Sequence, residues 1–188
     1  LRVLASVSGD EKMMAAFHEG RDIHAATAAY VYGVPLENVT REMRHTAKTL
    51  NFGISYGMGA AAFARVAGIG RDEAQNFIDE YFVRFSGVKR WQEKIIEEAC
   101  AAGMVTNQNG RRRLLSGIGS PNRRFAAEAE RMAINFPIQS CAADIIKLAM
   151  IRVHALIVRE KRQSRVRMLL TIHDELLLEV TDAMLKEV

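Results

Sequence analysis

Apolar positions recur at intervals of three and four along most of the chain, the period of an amphipathic helix. In residues 72–85 they fall at Ala74, Phe77, Ile78 and Tyr81, and in residues 88–102 at Trp91, Ile95, Ile96 and Ala99. Each set marks a helix with one core-facing stripe. Ser8 followed by Glu11 predicts a capping box that opens a helix through Phe17, ending near Gly20. A helix over residues 22–32 ends at Gly33 and Pro35, and Thr40 caps the helix holding residues 44–54. Residues 125–134 read as helix. Pro137 predicts a break, because the residue before a proline is pushed out of the helical region. A long helix follows over residues 142–160, and the basic run 152–167 reads as its exposed end.

The pattern changes to strand in two places. Asn109-Gly110, between VTNQ and RRRLL, predicts a hairpin, followed by a loop over SGIGSPN. RMLLTI and ELLLEV flank His173-Asp174 as two strands, whose apolar flanks are expected to be buried and to hold the turn rigidly. No internal repeat or low-complexity linker interrupts the chain. The expected fold class is α+β, mostly helical, in one lobe of one larger domain.

Composition adds bounds. With 188 residues, 49% hydrophobic and 26% charged, the chain can bury a sizeable core and is not of a disordered class. A net charge of +4 and a pI near 9.3 mildly favour an anionic partner. Cys100 and Cys141 make no disulfide framework and suit a reducing compartment. No apolar run approaches the length of a membrane span, so no membrane partner is expected, and no signal-peptide pattern opens the chain. A first residue other than Met, and a strand-like run close to Val188, read as cut ends.

Candidate chemistry concentrates in two stretches. Arg44, Lys48, Phe52 and Tyr56 are spaced by four. Each such step advances roughly 40° around a helix, so the four lie within an arc of about 120° and span roughly 18 Å, a length of the order of a nucleoside triphosphate. Arg44 as a planar fork and Lys48 as a point charge suit phosphate oxygens. An aromatic one turn on can lie against a sugar or base. The same spacing also suits an amphipathic helix with two solvated cations and a buried aromatic pair. In the second stretch, Asp174 and Glu175 offer adjacent carboxylates at a strand turn, ligands that magnesium accepts. An ordinary polar turn reads the same way.

Two further groups suit a duplex. Arg131, Asn135 and Gln139 carry donors for minor-groove acceptors shared by correctly paired bases. Taken alone, helix capping and chain reversal at the Pro137 break are the plainer reading of them. Arg111, Arg112, Arg113, Arg123 and Arg124 form an acid-free stretch suited to a phosphate backbone, or to a solvated basic hairpin.

The stretch RHTAKTLNFGISYG carries R-x-x-x-K-x-x-x-F-G-x-x-Y-G, which resembles motif B, the O-helix, of the family A DNA polymerases. LLTIHDELLLEV resembles their motif C, and AERMAINFPIQ their primer-contacting segment. The family usually continues that last segment with GTAAD, where this chain has Ser140-Cys141-Ala142-Ala143-Asp144.

The resemblance covers essentially the whole chain. It implies triphosphate contacts from Arg44, Lys48 and His24, stacking by Phe52 and gating of the insertion site by Tyr56. Taken alone, His24 is an ordinary helix-surface or capping residue. The resemblance further implies a metal ligand at Asp174, a secondary carboxylate at Glu175, and a primer-terminus contact at His173. Arg111, Arg112 and Arg113 would lie near the template, and Arg131, Asn135 and Gln139 at the primer minor groove. It implies about residues 1–135 as fingers and 136–188 as palm, with the hairpin in an antiparallel sheet. The motif A aspartate, thumb and exonuclease region would lie outside the chain, since Leu1-Arg2-Val3-Leu4-Ala5 matches only the tail of motif A.

The activity implied is template-directed addition of deoxynucleotides to a primer 3′ end with two magnesium ions, in replication or repair. The catalytic residues would be Asp174, Lys48 and Arg44. The implied partners are primer-template DNA, dNTPs and the remainder of the polymerase chain, in a bacterial cytoplasm or an organelle. The rival expectation is a non-catalytic DNA- or nucleotide-binding fragment, or half of a split polymerase, with the isolated 188 residues inactive.

Overall fold

The computed structural model describes residues 1–186; residues 187 and 188, the end of the expected palm segment, lie outside the described residues. The chain is α+β and mostly helical, with two separate two-stranded antiparallel sheets. It divides into two compact units, Leu1–Cys141 and Ala142–Val188. The first contains α1 (Arg2–Ser8), α2 (Glu11–His18), α3 (Ile23–Tyr32), a 3-10 turn (Leu36–Asn38), α4 (Arg41–Ser55), α5 (Ala60–Ala67), α6 (Arg71–Arg84) and α7 (Ser86–Ala102). Strands β1 (Met104–Thr106) and β2 (Arg112–Leu114) and the first part of α8 (Arg123–Arg159) complete it. The second unit holds the rest of α8, β3 (Val166–Ile172), β4 (Glu175–Val180) and a 3-10 turn at Asp182–Met184.

The core of the first unit gathers Leu4, Met13, Leu50, Ile54, Phe63, Phe77, Tyr81, Phe85, Val88 and Ile138. Helix α4 enters it through Ala47, Leu50, Asn51 and Ile54, a stripe at helical spacing. This one-sided burial leaves Arg44, Lys48, Phe52 and Tyr56 on the exposed side. Thr40 caps α4 as expected, its side chain accepting from Met43 N–H.

The Ser8–Glu11 capping box does not form. Ser8 is the last residue of α1, and Asp10 caps α2 instead by accepting from Met13 N–H at 2.9 Å. A carboxylate one turn before Met13 is the better acceptor there, and its second oxygen also takes the Gly87 N–H at 2.8 Å. A Cβ on Gly87 would stand 2.8 Å from Asp10 Cα, so that contact needs a glycine. Neither α1 nor α5 was expected from the pattern.

Pro137 does not break the chain. It lies inside α8, which runs without interruption through the expected gap. The proline removes one helical hydrogen bond. Burial of Ala133, Ile134 and Ile138 around it holds the helical path. Ser140 Oγ donates to the Phe136 carbonyl at 2.6 Å, and Asn107 Nδ2 donates to Ser140 Oγ at 2.9 Å. Packing of an apolar face here outweighs a local preference.

The β1–β2 hairpin forms, but with a five-residue loop, since Thr106 pairs with Arg112. The side chain of Asn107 organises it, accepting from Asn109 N–H at 2.9 Å and Arg111 N–H at 3.0 Å.

In the second unit β3 and β4 pair from Val166↔Val180 to Ile172↔Glu175, with a register irregularity at Leu169. Val166 packs with Ile157 and Met184, beside Val153 and Val180. The expected burial of the strand flanks is not found: Leu169, Leu170, Ile172 and Leu177 are exposed, Leu169 at 53%. Two strands cannot cover their own faces, and the cluster under Val166 reaches only the end of the sheet away from the turn.

Candidate functional site

Helix α4 and the start of α3 build the main site. Asp22 caps α3, one carboxylate oxygen accepting from His24 N–H at 2.9 Å and Ala25 N–H at 3.1 Å. The other oxygen accepts from Arg44 Nε at 2.7 Å. One aspartate thus fixes both the backbone under His24 and the first cation of the α4 ladder. Burial pushes the Asp22 carboxyl up, but the Arg44 hydrogen bond and the two backbone donors outweigh it and hold it below the ordinary value. Lys48 is exposed, and no carboxylate pairs with it among the described residues. Of the two cations, Arg44 is paired with Asp22 and Lys48 has no carboxylate partner among the described residues.

Phe52 is 39% exposed and Tyr56 46% exposed, so these aromatics are not the buried pair of an ordinary amphipathic helix. The His24 ring lies against Phe52, centroids 5.7 Å apart and planes tilted by 41°. His24, Phe52 and Lys48 therefore make one surface with a ring shelf beside cations. Burial lowers the His24 pKa below its ordinary value of 6.5; Asp22 opposes this, while Arg44 and Lys48 add to it. Helix α4 ends at Ser55, with Tyr56 at its C-cap. Gly57 follows with φ 68°, and a Cβ there would lie 3.1 Å from Arg131 Cγ and 3.2 Å from Ile134 Cδ1. That close approach sets Arg131 of α8 beside the end of the ladder. Gln92 Nε2 donates to the Ile54 carbonyl at 2.9 Å and secures the same turn.

Because α8 continues through Pro137, Arg131, Asn135 and Gln139 stand on one helical face at successive steps of four instead of flanking a break. Arg131 and Gln139 are exposed. Asn135 Oδ1 is buried with no partner among the described residues. Arg112 and Arg113 lie on β2 and Arg111 in the loop before it, all exposed. Arg113 also reaches Met132 Sδ at 3.4 Å. Arg123 and Arg124 open α8, both exposed.

In the second unit, His173 and Asp174 form a two-residue loop, with Ile172 and Glu175 paired across it. His173 takes φ 55°, a conformation costly for a residue with a Cβ. His173, Asp174 and Glu175 are all exposed. The carboxylate oxygens of Asp174 and Glu175 are of the type that magnesium accepts, since it commonly uses one or two carboxylates with water and phosphate completing its shell. No group of three His, Cys, Asp or Glu side chains that could hold a metal ion stands together among the described residues.

Two residues escaped the sequence reading. Asp22 carried a signal, an N-cap residue just before His24. Asn51 carried a subtler one, an amide in the buried stripe of α4; it is 0% exposed and bonds to His24 and Thr27. No described helix is long and apolar enough to cross a membrane.

The sequence profile described as DNA polymerase family A matches residues 1–188. The chain is 45% identical over 188 residues to the thermostable DNA polymerase I of Thermus thermophilus, covering 100% of this chain and 22% of that protein. It is 48% identical over 179 residues to DNA polymerase I of Bacillus caldotenax, covering 95% of this chain and 20% of that protein. Among solved structures it resembles the POL domain of Pol1 from M. smegmatis in complex with DNA primer-template and dNTP. The TM-score is 0.90 at 38% identity, covering 99% of this chain and 32% of the other. The chain thus spans about a fifth of the length of the curated relatives it matches.

Proposed function

Because the chain belongs to DNA polymerase family A, we propose that it carries the nucleotide-binding helix and one carboxylate edge of the centre for template-directed DNA synthesis. About residues 1–135 are the fingers segment in this reading, and 136–188 belong to the palm. The observation that carries it is the exposed ladder Arg44–Lys48–Phe52–Tyr56 with His24 lying on Phe52.

In the reaction the primer 3′ oxygen bonds to the α-phosphorus of a dNTP and loses its proton. The bond from the α-phosphorus to the bridging oxygen breaks, and pyrophosphate leaves with that electron pair. Lys48 and Arg44 hold the phosphates and offset charge on the leaving pyrophosphate. His24 donates to a phosphate oxygen. Phe52 supports sugar and base, and Tyr56 occupies the point where the next template base enters. Arg111, Arg112, Arg113, Arg123 and Arg124 follow the template phosphates, which carry no sequence information. Arg131, Asn135 and Gln139 test pair geometry in the minor groove, and His173 contacts the primer terminus. Magnesium, held by Asp174 with Glu175 in a lesser role, would supply charge neutralisation at the phosphates.

The test grafts these 188 residues into the Thermus thermophilus enzyme in place of its matching segment. Lys48→Ala in that chimera is expected to lower kcat/KM by about tenfold or more, the worth of a hydrogen bond to a charged group, and by the same factor for all four dNTPs. A loss confined to one base, or a change of less than about twofold, rejects Lys48 as a phosphate contact.

A further inference from the structure

The two ring nitrogens of His24 are not equivalent. Nδ1 lies 3.2 Å from Asn51 Nδ2, while Nε2 has no protein partner among the described residues. Asn51 crosses from α4 to α3, where its Nδ2 also stands 3.1 Å from Thr27 Oγ1. Asn51 and Thr27 are both buried, so water does not compete for the bond between them, while the Asn51–His24 contact is part-buried. The Thr27 hydroxyl has one proton, and it lies 2.7 Å from the Ile23 carbonyl against 3.3 Å from Asn51 Oδ1. The nearer carbonyl takes that proton. Thr27 Oγ1 then offers Asn51 only lone pairs, and of the two amide ends Nδ2 stands nearer to it, at 3.1 Å against 3.3 Å for Oδ1, which places the NH2 end toward it. The same NH2 group faces His24 Nδ1, which must therefore accept. A neutral imidazole carries a single N–H, and here it is on Nε2.

We propose that Asn51 is a positioning residue of the nucleotide site, locking His24 as the Nε2–H tautomer so that the ring offers one directed donor to an anionic phosphate oxygen. The proposal rests on the reading of His24 as a phosphate contact. It explains why a polar amide is kept in the buried stripe of α4, where an apolar residue would pack without needing partners. It also explains how the site can use His24 in its neutral form. Burial, Arg44 and Lys48 disfavour the imidazolium, and Asp22 favours it. A further positive charge is not needed beside Arg44 and Lys48; a fixed direction is.

The test begins with the 188-residue chain and needs no nucleotide. Long-range 1H–15N correlation of 15N-histidine-labelled protein at pH 8 is expected to show His24 with an unprotonated Nδ1 and a protonated Nε2. The Nδ1–H tautomer, or a mixture of the two, overturns the proposal. Asn51→Asp, which can only accept, is expected to move the proton to Nδ1; an unchanged tautomer in this variant also overturns it. Should Asn51→Asp lose its fold, Thr27→Val removes the anchor of the amide at nearly constant volume. It is expected to give a tautomer mixture, and an unmixed Nε2–H signal counts against the lock. Titration with dATP then separates the two readings. His24→Ala and Asn51→Asp are each expected to weaken binding about tenfold. If His24→Ala leaves dATP binding unchanged, the phosphate role fails, and with it the site that Asn51 is proposed to serve. If only Asn51→Asp leaves it unchanged, the phosphate role survives and the positioning role is rejected.

Discussion

Single residues in this chain act in pairs that span α3 and α4. Arg44 alone would be a flexible cation; bonded to Asp22 it becomes a fixed one, with less charge to offer. Lys48 has no carboxylate partner among the described residues. His24 is the residue whose ionisation matters near neutral pH. Its folded-state pKa lies below the unfolded value, so the unfolded chain binds the proton more readily. Whatever stability His24 contributes is complete above pH 6.5 and declines as pH falls below it through the folded pKa. An NMR titration of His24 is therefore expected to give a midpoint below 6.5, and Arg44→Gln should raise it by removing a neighbouring cation. A midpoint above 6.5 would mean that the Asp22 charge dominates the ring.

At the scale of elements, two features set the site. The first is the end of α4, where Gly57 turns the chain beside α8. Gly57→Ala would put a side chain on a residue with φ 68° and drive its Cβ to within 3.3 Å of Arg131 Cα. The expected cost is about 1–3 kcal/mol of stability, from backbone strain and overpacking together. Urea unfolding measures it; an unchanged midpoint would show that α8 yields without cost. The second feature is the unbroken α8. Sequence logic about Pro137 is sound for an isolated helix, and it failed here because the flanking residues Ala133, Ile134 and Ile138 are buried. Its failure has a structural consequence, since the unbroken helix aligns Arg131, Asn135 and Gln139 on one face.

For the whole molecule, the carboxylates are the deciding feature. The hairpin tip carries Asp174 and Glu175, and no group of three His, Cys, Asp or Glu side chains that could hold a metal ion forms among the described residues. The 188-residue chain by itself is therefore expected not to extend a primer, whereas the Thermus chimera is expected to do so. Asp174→Ala in the chimera should lower kcat by about 100-fold or more, because it removes charge stabilisation of several kcal/mol. DNA affinity should change by less than about twofold, since it rests on dispersed phosphate contacts. Primer-extension assays with contaminating polymerase excluded read the first effect, and fluorescence anisotropy with labelled DNA reads the second. Turnover within about tenfold of the unmodified chimera would remove Asp174 from the catalytic centre. The exposed apolar residues of β3 and β4, Leu169, Leu170, Ile172 and Leu177, leave this hairpin without a covering layer in its own unit.

Local order along the chain was enough to determine the buried stripe of α6, the presence of α7, the Thr40 cap, the four-residue ladder of α4 and the turn between β3 and β4. Each depends on residues within about four positions of one another, where spacing and side-chain type set the outcome. The order and spacing of the motifs likewise identified the family. Tertiary structure alone decided the Asp22–Arg44 pair, the Asn51 bridge to His24, the approach of Gly57 to Arg131 and the passage of α8 through Pro137. Those contacts join positions far apart in the chain, or depend on how much apolar surface a neighbouring element buries. Periodicity records that a face will be covered; which residue covers it, and whether that burial outweighs a local penalty, is settled only when the elements pack.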